Sequence, residues 1–430
     1  MEQTYIKDFS EKLDQEVLIK GWVYNFRSSG KIAFLQVRDG SGFTQAVVAK
    51  DSVDEDSWQV IEQMMQESSV EVVGTVSKHP KKEEYELQVK KLNFIQRSEE
   101  YPIGNKEHGP DFLMENRHLW LRSPKQAAIQ RVRTTVIMAT YEFFLEKGFT
   151  KIDSPILTPA ACEGTTELFE MEYFDLGKAY LSQSGQLYLE AAIASFGKVF
   201  DFGPTFRAEK SKTRRHLTEF WMMDAEMAFY DHEMSMQLQE DLICYIAKSV
   251  LEKNKAELEI LERDVSALEK ITAGFERLTY KQALEELKTK GSDIKDGEDL
   301  GNDDEDLIMK DRDKPIFIEK WPAEIKAFYM KRDKDNEDIA LCSDVIAPEG
   351  HGEIIGGSQR EDDYETLVKR IKEHKLPQEA FDWYLDLRKY GSVPHSGFGY
   401  GLERIVGWMC GTKHVRETIP FPRTINRIYP

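Results

Sequence analysis

The sequence predicts an α+β protein in two unequal parts, a small β-barrel and a larger domain that mixes strands with helices. Three observations predict it. Residues up to about Gln96 read as short strands with turn punctuation; the polar stretch from Arg97 to Asn116 has no periodicity; and beyond it apolar strands and helices follow one another without regular alternation. The 430 residues suit two or three domains at roughly 150 residues each. With 40% hydrophobic and 31% charged residues the chain can bury a core, which excludes disordered, collagen-like and coiled-coil classes.

In the first part, Val17–Val23 and Ile32–Arg38 are strands, and the turn Asp39-Gly40-Ser41-Gly42 leads into a third, Phe43–Ala49. An amphipathic helix over Asp56–Gln66 follows, then strands near Val70–Val76 and Tyr85–Phe94. Five strands with a helix after the third suit a Greek-key barrel of the OB type. Pro102, Gly104, Gly109 and Pro110 mark the following stretch as a linker or hinge. Ser123 then caps a helix, Pro124 suits its first turn and Gly148 closes it, with Ile129, Val132, Val136, Ile137, Tyr141 and Phe144 at helical spacing. Further strands are expected at Val199–Phe202, Phe220–Met223, Ala340–Ile346 and Phe398–Leu402, and helices at Ser235–Lys253 and Asp362–Lys372.

The net charge of −19, from 58 basic and 77 acidic side chains, argues against a surface that grips nucleic acid everywhere while permitting a local basic site. Much of the excess lies in Asp293–Asp313, read as a solvated insertion. Cys162, Cys244, Cys342 and Cys410 have no metal or redox spacing and read as reduced thiols. The acidic start lacks a signal-peptide pattern, and no run approaches the ~20 apolar residues of a membrane span. A soluble cytoplasmic protein is expected.

Three segments carry chemistry. The first is the Ser123 helix with Gly148-Phe149-Thr150-Lys151-Ile152-Asp153-Ser154-Pro155, which alone is only a helix, a turn and an edge strand. The second is Phe206-Arg207-Ala208-Glu209, a basic loop with Lys210, Lys212, Arg214, Arg215 and His216, and Glu219-Phe220-Trp221. An arginine fixed on a strand beside such a loop suits a polyphosphate, although a solvated hairpin tip would look the same. The third is Gly397-Phe398-Gly399-Tyr400-Gly401-Leu402-Glu403-Arg404, whose alternate glycines clear one strand face for a flat ligand. It is neither a Rossmann fingerprint nor a Walker loop.

In this order and spacing the segments resemble the three signature motifs of class II aminoacyl-tRNA synthetases, over nearly the whole chain. The leading barrel is similar to that of the aspartyl, asparaginyl and lysyl subgroup. Finer segments look most like its asparaginyl members: Cys162-Glu163-Gly164-Thr165-Thr166-Glu167-Leu168-Phe169, Gln183-Ser184-Gly185-Gln186, Ala347 to Gly357, and Val415 to Arg423. The resemblance implies an OB-fold anticodon-binding domain over 1–96, a hinge over 97–116, and a class II catalytic domain over 117–430. That domain would be an antiparallel sheet flanked by helices, with an acidic insertion at about 291–314.

The implied reaction is ATP-dependent ligation of L-asparagine to tRNA-Asn through an asparaginyl-adenylate. By the same resemblance Arg207 holds the α-phosphate, Glu209 contacts the adenine or the tRNA end, and Phe220 and Arg404 sandwich the adenine. His216 reaches the γ-phosphate, and Asp344 and Glu353 hold Mg²⁺. Glu163 and Gln186 meet the α-ammonium, and Arg360 reaches the side-chain oxygen. Leu189 stands where aspartyl enzymes place a lysine, leaving Asp224 to accept from the substrate amide. Arg27, Phe34 and Gln45 match anticodon-reading positions. A homodimer with Pro155 at its interface is implied, with no membrane or DNA partner. Rival readings are a relaxed aspartyl enzyme, a tRNA-independent asparagine synthetase and an RNA-binding paralogue without chemistry. The barrel argues against the second, and intact Arg207, Glu353 and Arg404 against the third.

Overall fold

In strand Glu16–Ser29 the apolar positions Val17, Ile19 and Val23 alternate with polar ones, and all three are buried. The same alternation in Ile32–Arg38 and Phe43–Ala49 turns Ala33, Leu35, Ala46 and Val48 inward. With Ser69–Lys78 and Tyr85–Gln96 these strands close a barrel in which the third and fifth run parallel and every other pair is antiparallel. Helix Glu55–Glu62 follows the third strand, as expected, capped by Asp54 and adding Trp58 and Ile61 to the barrel core. This is the OB topology.

The computed structural model describes residues 1–104, 106–159 and 167–430. The chain folds as two compact units, Met1–Gly109 and Pro110–Pro430. The stretch read as a linker is structured at its end: Pro110–Glu115 is helical. Buried Arg117, in the next short helix, donates to the carbonyls of Glu417, Ile419 and Pro420.

The second unit is built on an eight-stranded sheet. Its order is Glu276–Thr279, Ile316–Pro322, Ile339–Ala347, Gly352–Gln359, His395–Gly401, Glu219–Ala228, Lys198–Phe206 and Thr150–Lys151. The six central strands are antiparallel, but both edge strands pair in parallel, so the sheet is mixed rather than purely antiparallel. Helix Pro124–Glu146 has its Ser123 cap and Pro124 start, and it buries Ile129, Val132, Val136 and Phe144. With His232–Lys253 and Leu402–Cys410 it supplies the main core. A separate three-stranded sheet joins Leu157–Thr158, Lys178–Leu181 and Glu170–Glu172. Cys244, Cys342 and Cys410 are free thiols.

Most acidic side chains of the 293–313 segment face solvent, as read, but the segment is also anchored in the core. Asn302–Met309 is a helix that buries Ile308 and Met309 in a second core cluster with Tyr280, Leu284 and Trp321. The apolar triplet Leu307-Ile308-Met309 supplies the anchoring edge that the charge run hides.

Candidate active site

The second and third signature segments meet at two adjoining chambers at the sheet centre. One is lined by Arg207, Arg215, His216, Phe220, Glu353 and Arg404. The other is lined by Ser184, Gln186, Asp224, Lys326, Asp344 and Arg360. Arg207, Glu353, Gly356 and Gly399 belong to the walls of both, so they stand at the junction.

Local structure explains each placement. Arg207 follows strand Lys198–Phe206, and its guanidinium lies 5.6 Å from the Phe220 ring centroid on the antiparallel neighbour. Glu403, at the start of helix Leu402–Cys410, is buried against Arg133 at 2.7 Å and accepts the Trp221 N–H. Arg404, one residue on, reaches the first chamber and donates to the Glu353 carbonyl at 2.5 Å. Burial, then Arg404 and Arg207, push His216 down to about 4, so it is neutral near pH 7. Its Nδ1 meets the Thr213 hydroxyl.

The alternate glycines Gly399 and Gly401 line the first chamber, and the row also serves a second end. A Cβ on Gly397 would stand 1.9 Å from Glu226 Oε1, and one on Gly399 2.3 Å from Asp224 Oδ1. They make room for two buried carboxylates, and only Gly401 faces the Phe220 ring. Asp224 Oδ2 accepts from the Ser184 hydroxyl and the Gly185 N–H, both at 2.9 Å. Burial pushes Asp224 up to about 6, opposed by those two bonds and reinforced by Asp201. Arg360 pairs with Glu226 at 2.5 Å and donates to Ser358 at 2.8 Å.

Behind Gln186 lies a network with no signature in the sequence. Glu190, fully buried, accepts from Gln186 Nε2 at 3.1 Å, Tyr384 at 2.7 Å, Arg388 at 2.6 Å and His395 at 3.0 Å. Burial works against its charge, but Arg388 and His395 outweigh it and hold the carboxyl below its usual range. Because Gln186 donates its amide nitrogen to Glu190, its oxygen is the polar atom left to accept from a ligand.

Three further placements stand out. Leu189 is fully buried with Ile193, Val199 and Ala228 and lines neither chamber. Asp344 meets the Lys326 ammonium at 2.9 Å, a partner 18 residues away that no motif announces. Burial disfavours the charge on Lys326, but Asp344 outweighs it and raises the ammonium above its ordinary pKa. Glu209 is half-buried but lines neither chamber, and Glu163 lies outside the described residues.

In the barrel, Arg27, Phe34 and Gln45 line one groove with Phe26, Phe43 and Tyr85. Phe34 is half-buried and outside the barrel core cluster. The Arg27 guanidinium lies 4.7 Å from its ring centroid, and Gln45 donates to Glu86 at 3.2 Å.

The family "tRNA synthetases class II (D, K and N)" matches residues 109–425, and "OB-fold nucleic acid binding domain" matches 17–95. The chain is 44% identical to asparaginyl-tRNA synthetase from Pyrococcus horikoshii complexed with asparaginyl-adenylate, covering 100% of both chains with a TM-score of 0.97. The chain belongs to the asparaginyl family of class II tRNA synthetases. The asparaginyl enzyme of Entamoeba histolytica, also with asparaginyl-adenylate, is 31% identical over 97% of each chain, with a TM-score of 0.89. A putative aspartyl-tRNA synthetase from Leishmania major Friedlin is 28% identical over 100% of this chain and 95% of that one, with a TM-score of 0.86. Among the described residues no helix is long and apolar enough to cross a membrane.

Proposed function

We propose that the chain activates asparagine with ATP, releasing pyrophosphate, and passes asparagine from the adenylate to the terminal ribose of tRNA-Asn. The observation that carries the reading is the junction of the two chambers at Arg207. An adenine between Phe220 and Arg404 and an amino acid between Gln186, Asp224 and Arg360 would meet at the α-phosphate beside that guanidinium. No side-chain nucleophile is needed, since the asparagine carboxylate attacks phosphorus and pyrophosphate leaves. The protein's part is positioning and stabilisation of the charge that spreads over phosphate oxygens. With Nδ1 engaged by the Thr213 hydroxyl, neutral His216 would turn Nε2 to the γ-phosphate as an N–H donor.

The Gln186 oxygen would accept from the α-ammonium, with Glu163 as its companion by family resemblance. The second oxygen of Asp224 would accept from the amide NH₂, and Arg360 would donate to the amide oxygen. Among the described residues no group of three or more His, Cys, Asp or Glu is placed to hold a metal. Glu353, with Asp344 beside Gly356, still offers the hard oxygens that suit Mg²⁺, which keeps several waters and binds mainly through substrate phosphates. Bound there, Mg²⁺ would neutralise phosphate charge; Lys326 already neutralises part of Asp344.

The 1–96 barrel would read the anticodon through Phe34 stacking, with Arg27 and Gln45 on phosphate and base edges, and 97–116 would be the hinge. A homodimer is proposed through the small sheet that follows Pro155, whose Phe174 and Leu176 are 86% and 82% exposed. A cytoplasmic location completes the reading. Its test is Arg207→Ala, expected to lower asparagine-dependent pyrophosphate exchange by about 10²–10³ with the fold intact. Exchange within a few fold of wild type would overturn it.

A further inference from the structure

The acidic helix Asn302–Met309 reaches the wall of the chamber that holds Arg207 and Arg404, and the contact is made by Arg215. Arg215 Nε donates to the Gly350 carbonyl at 3.1 Å. Its Nη1 donates to Asn302 at 2.9 Å and Glu305 at 2.5 Å, and its Nη2 to Asp306 at 2.5 Å and Gly350 at 2.7 Å. A guanidinium has five N–H donors, and five bonds are made here. Space for the ion pair is kept by Gly352, at φ +68°, where a Cβ would stand 2.3 Å from Glu305 Oε2 and 2.5 Å from Arg215 Nη1.

Arg215 therefore ties together three segments far apart in sequence. They are the basic loop after Arg207, the acidic helix, and the turn that leads into Glu353. We propose that Glu305 and Asp306 are positioning residues for ATP, holding Arg215 as a strut that sets the basic loop against the Glu353 turn. The proposal rests on assigning this chamber to ATP. With every donor engaged by protein, Arg215 contributes geometry rather than a phosphate bond. Its planar fork makes contacts that a lysine point charge does not reproduce. Neutral partners would leave its charge uncompensated beside Arg207 and Arg404, and the loop would lose its fixed position.

The test is steady-state pyrophosphate exchange by the full chain carrying Glu305→Gln and Asp306→Asn together. Losing outer partners of a site costs about 10–100-fold, so KM for ATP should rise about tenfold or more. KM for asparagine should stay within about twofold, a split that a general loss of fold would not produce. Asp306→Glu should keep the wild-type KM for ATP, because Asp306 is half-exposed and has room for the longer carboxylate. Should the double variant fail to fold, Asp306→Asn alone carries the same test. An unchanged KM for ATP, or equal rises in both KM values, would overturn the proposal. Arg207→Ala run alongside separates the two failures. If it abolishes exchange while the carboxylate variants behave as wild type, the strut is refuted and the ATP site stands. If it leaves exchange intact, the ATP site falls and the strut with it.

Discussion

Replacing Asp224 by asparagine should widen the amino-acid specificity and remove its dependence on pH. Asp224 is held in place because Ser184 and Gly185 fix one of its oxygens at 2.9 Å. An aspartate in place of asparagine would set a second carboxylate about 4 Å from it, at a cost of about 4 kcal/mol with an effective dielectric constant of 20. That is close to three decades of discrimination for as long as Asp224 stays ionised. The carboxyl is pushed up to about 6, so below that pH it becomes neutral and the repulsion fades. Protonating Asp224 relieves the clash at a cost of only about 1.4 kcal/mol per unit above 6, so the ratio of kcat/KM for asparagine over aspartate should fall about tenfold per pH unit from pH 8 to 6. Asp224→Asn should show a low ratio with no such limb. Stability should move the opposite way. A carboxyl raised above its ordinary 3.8 destabilises the fold when ionised, and the penalty is relieved as pH falls through 6. The variant should therefore be more stable than wild type at pH 8, by up to about 3 kcal/mol. The assay is pyrophosphate exchange with each amino acid from pH 5 to 8. A wild-type ratio that is flat across that range would refute the role of Asp224.

Other substitutions separate the parts. Phe34→Ala should weaken tRNA binding by about 1–3 kcal/mol in aminoacylation assays while leaving pyrophosphate exchange untouched; equal losses in both would make Phe34 structural. Glu190→Gln leaves Arg388 buried without its carboxylate and should cost about 3–5 kcal/mol, seen as a lower thermal midpoint; an unchanged midpoint would contradict the network. Leu189→Lys places an ammonium among Ile193, Val199 and Ala228 and should destabilise the fold by several kcal/mol; a stable variant that activates aspartate would show instead that the lysine reaches the pocket.

Much of the barrel and of the first chamber was legible in the sequence, because local patterns specify both. Alternation such as Val17, Ile19 and Val23 marks strand faces, and Ser123-Pro124 marks a helix start, without reference to the rest of the chain. Arg207, Phe220 and Arg404 were legible as parts of recognised segments. What escaped were pairings between residues remote in sequence, which no local window contains: Lys326 with Asp344, and Glu190 with Arg388 and His395. The alternate glycines were visible, but their reason was not, since it depends on Asp224 and Glu226 in the neighbouring strand. In the acidic run the exposed charges were legible, but they masked the short apolar edge that buries Ile308 and Met309.

The most direct measurement is pyrophosphate exchange by the unmodified protein at pH 7.5, with asparagine and with aspartate in turn. Exchange should depend on asparagine, with aspartate weaker by about 30-fold in kcat/KM, since at pH 7.5 neutralising Asp224 costs about 2 kcal/mol and caps the repulsion. Comparable rates with the two amino acids would contradict the asparagine pocket built on Asp224 and Arg360.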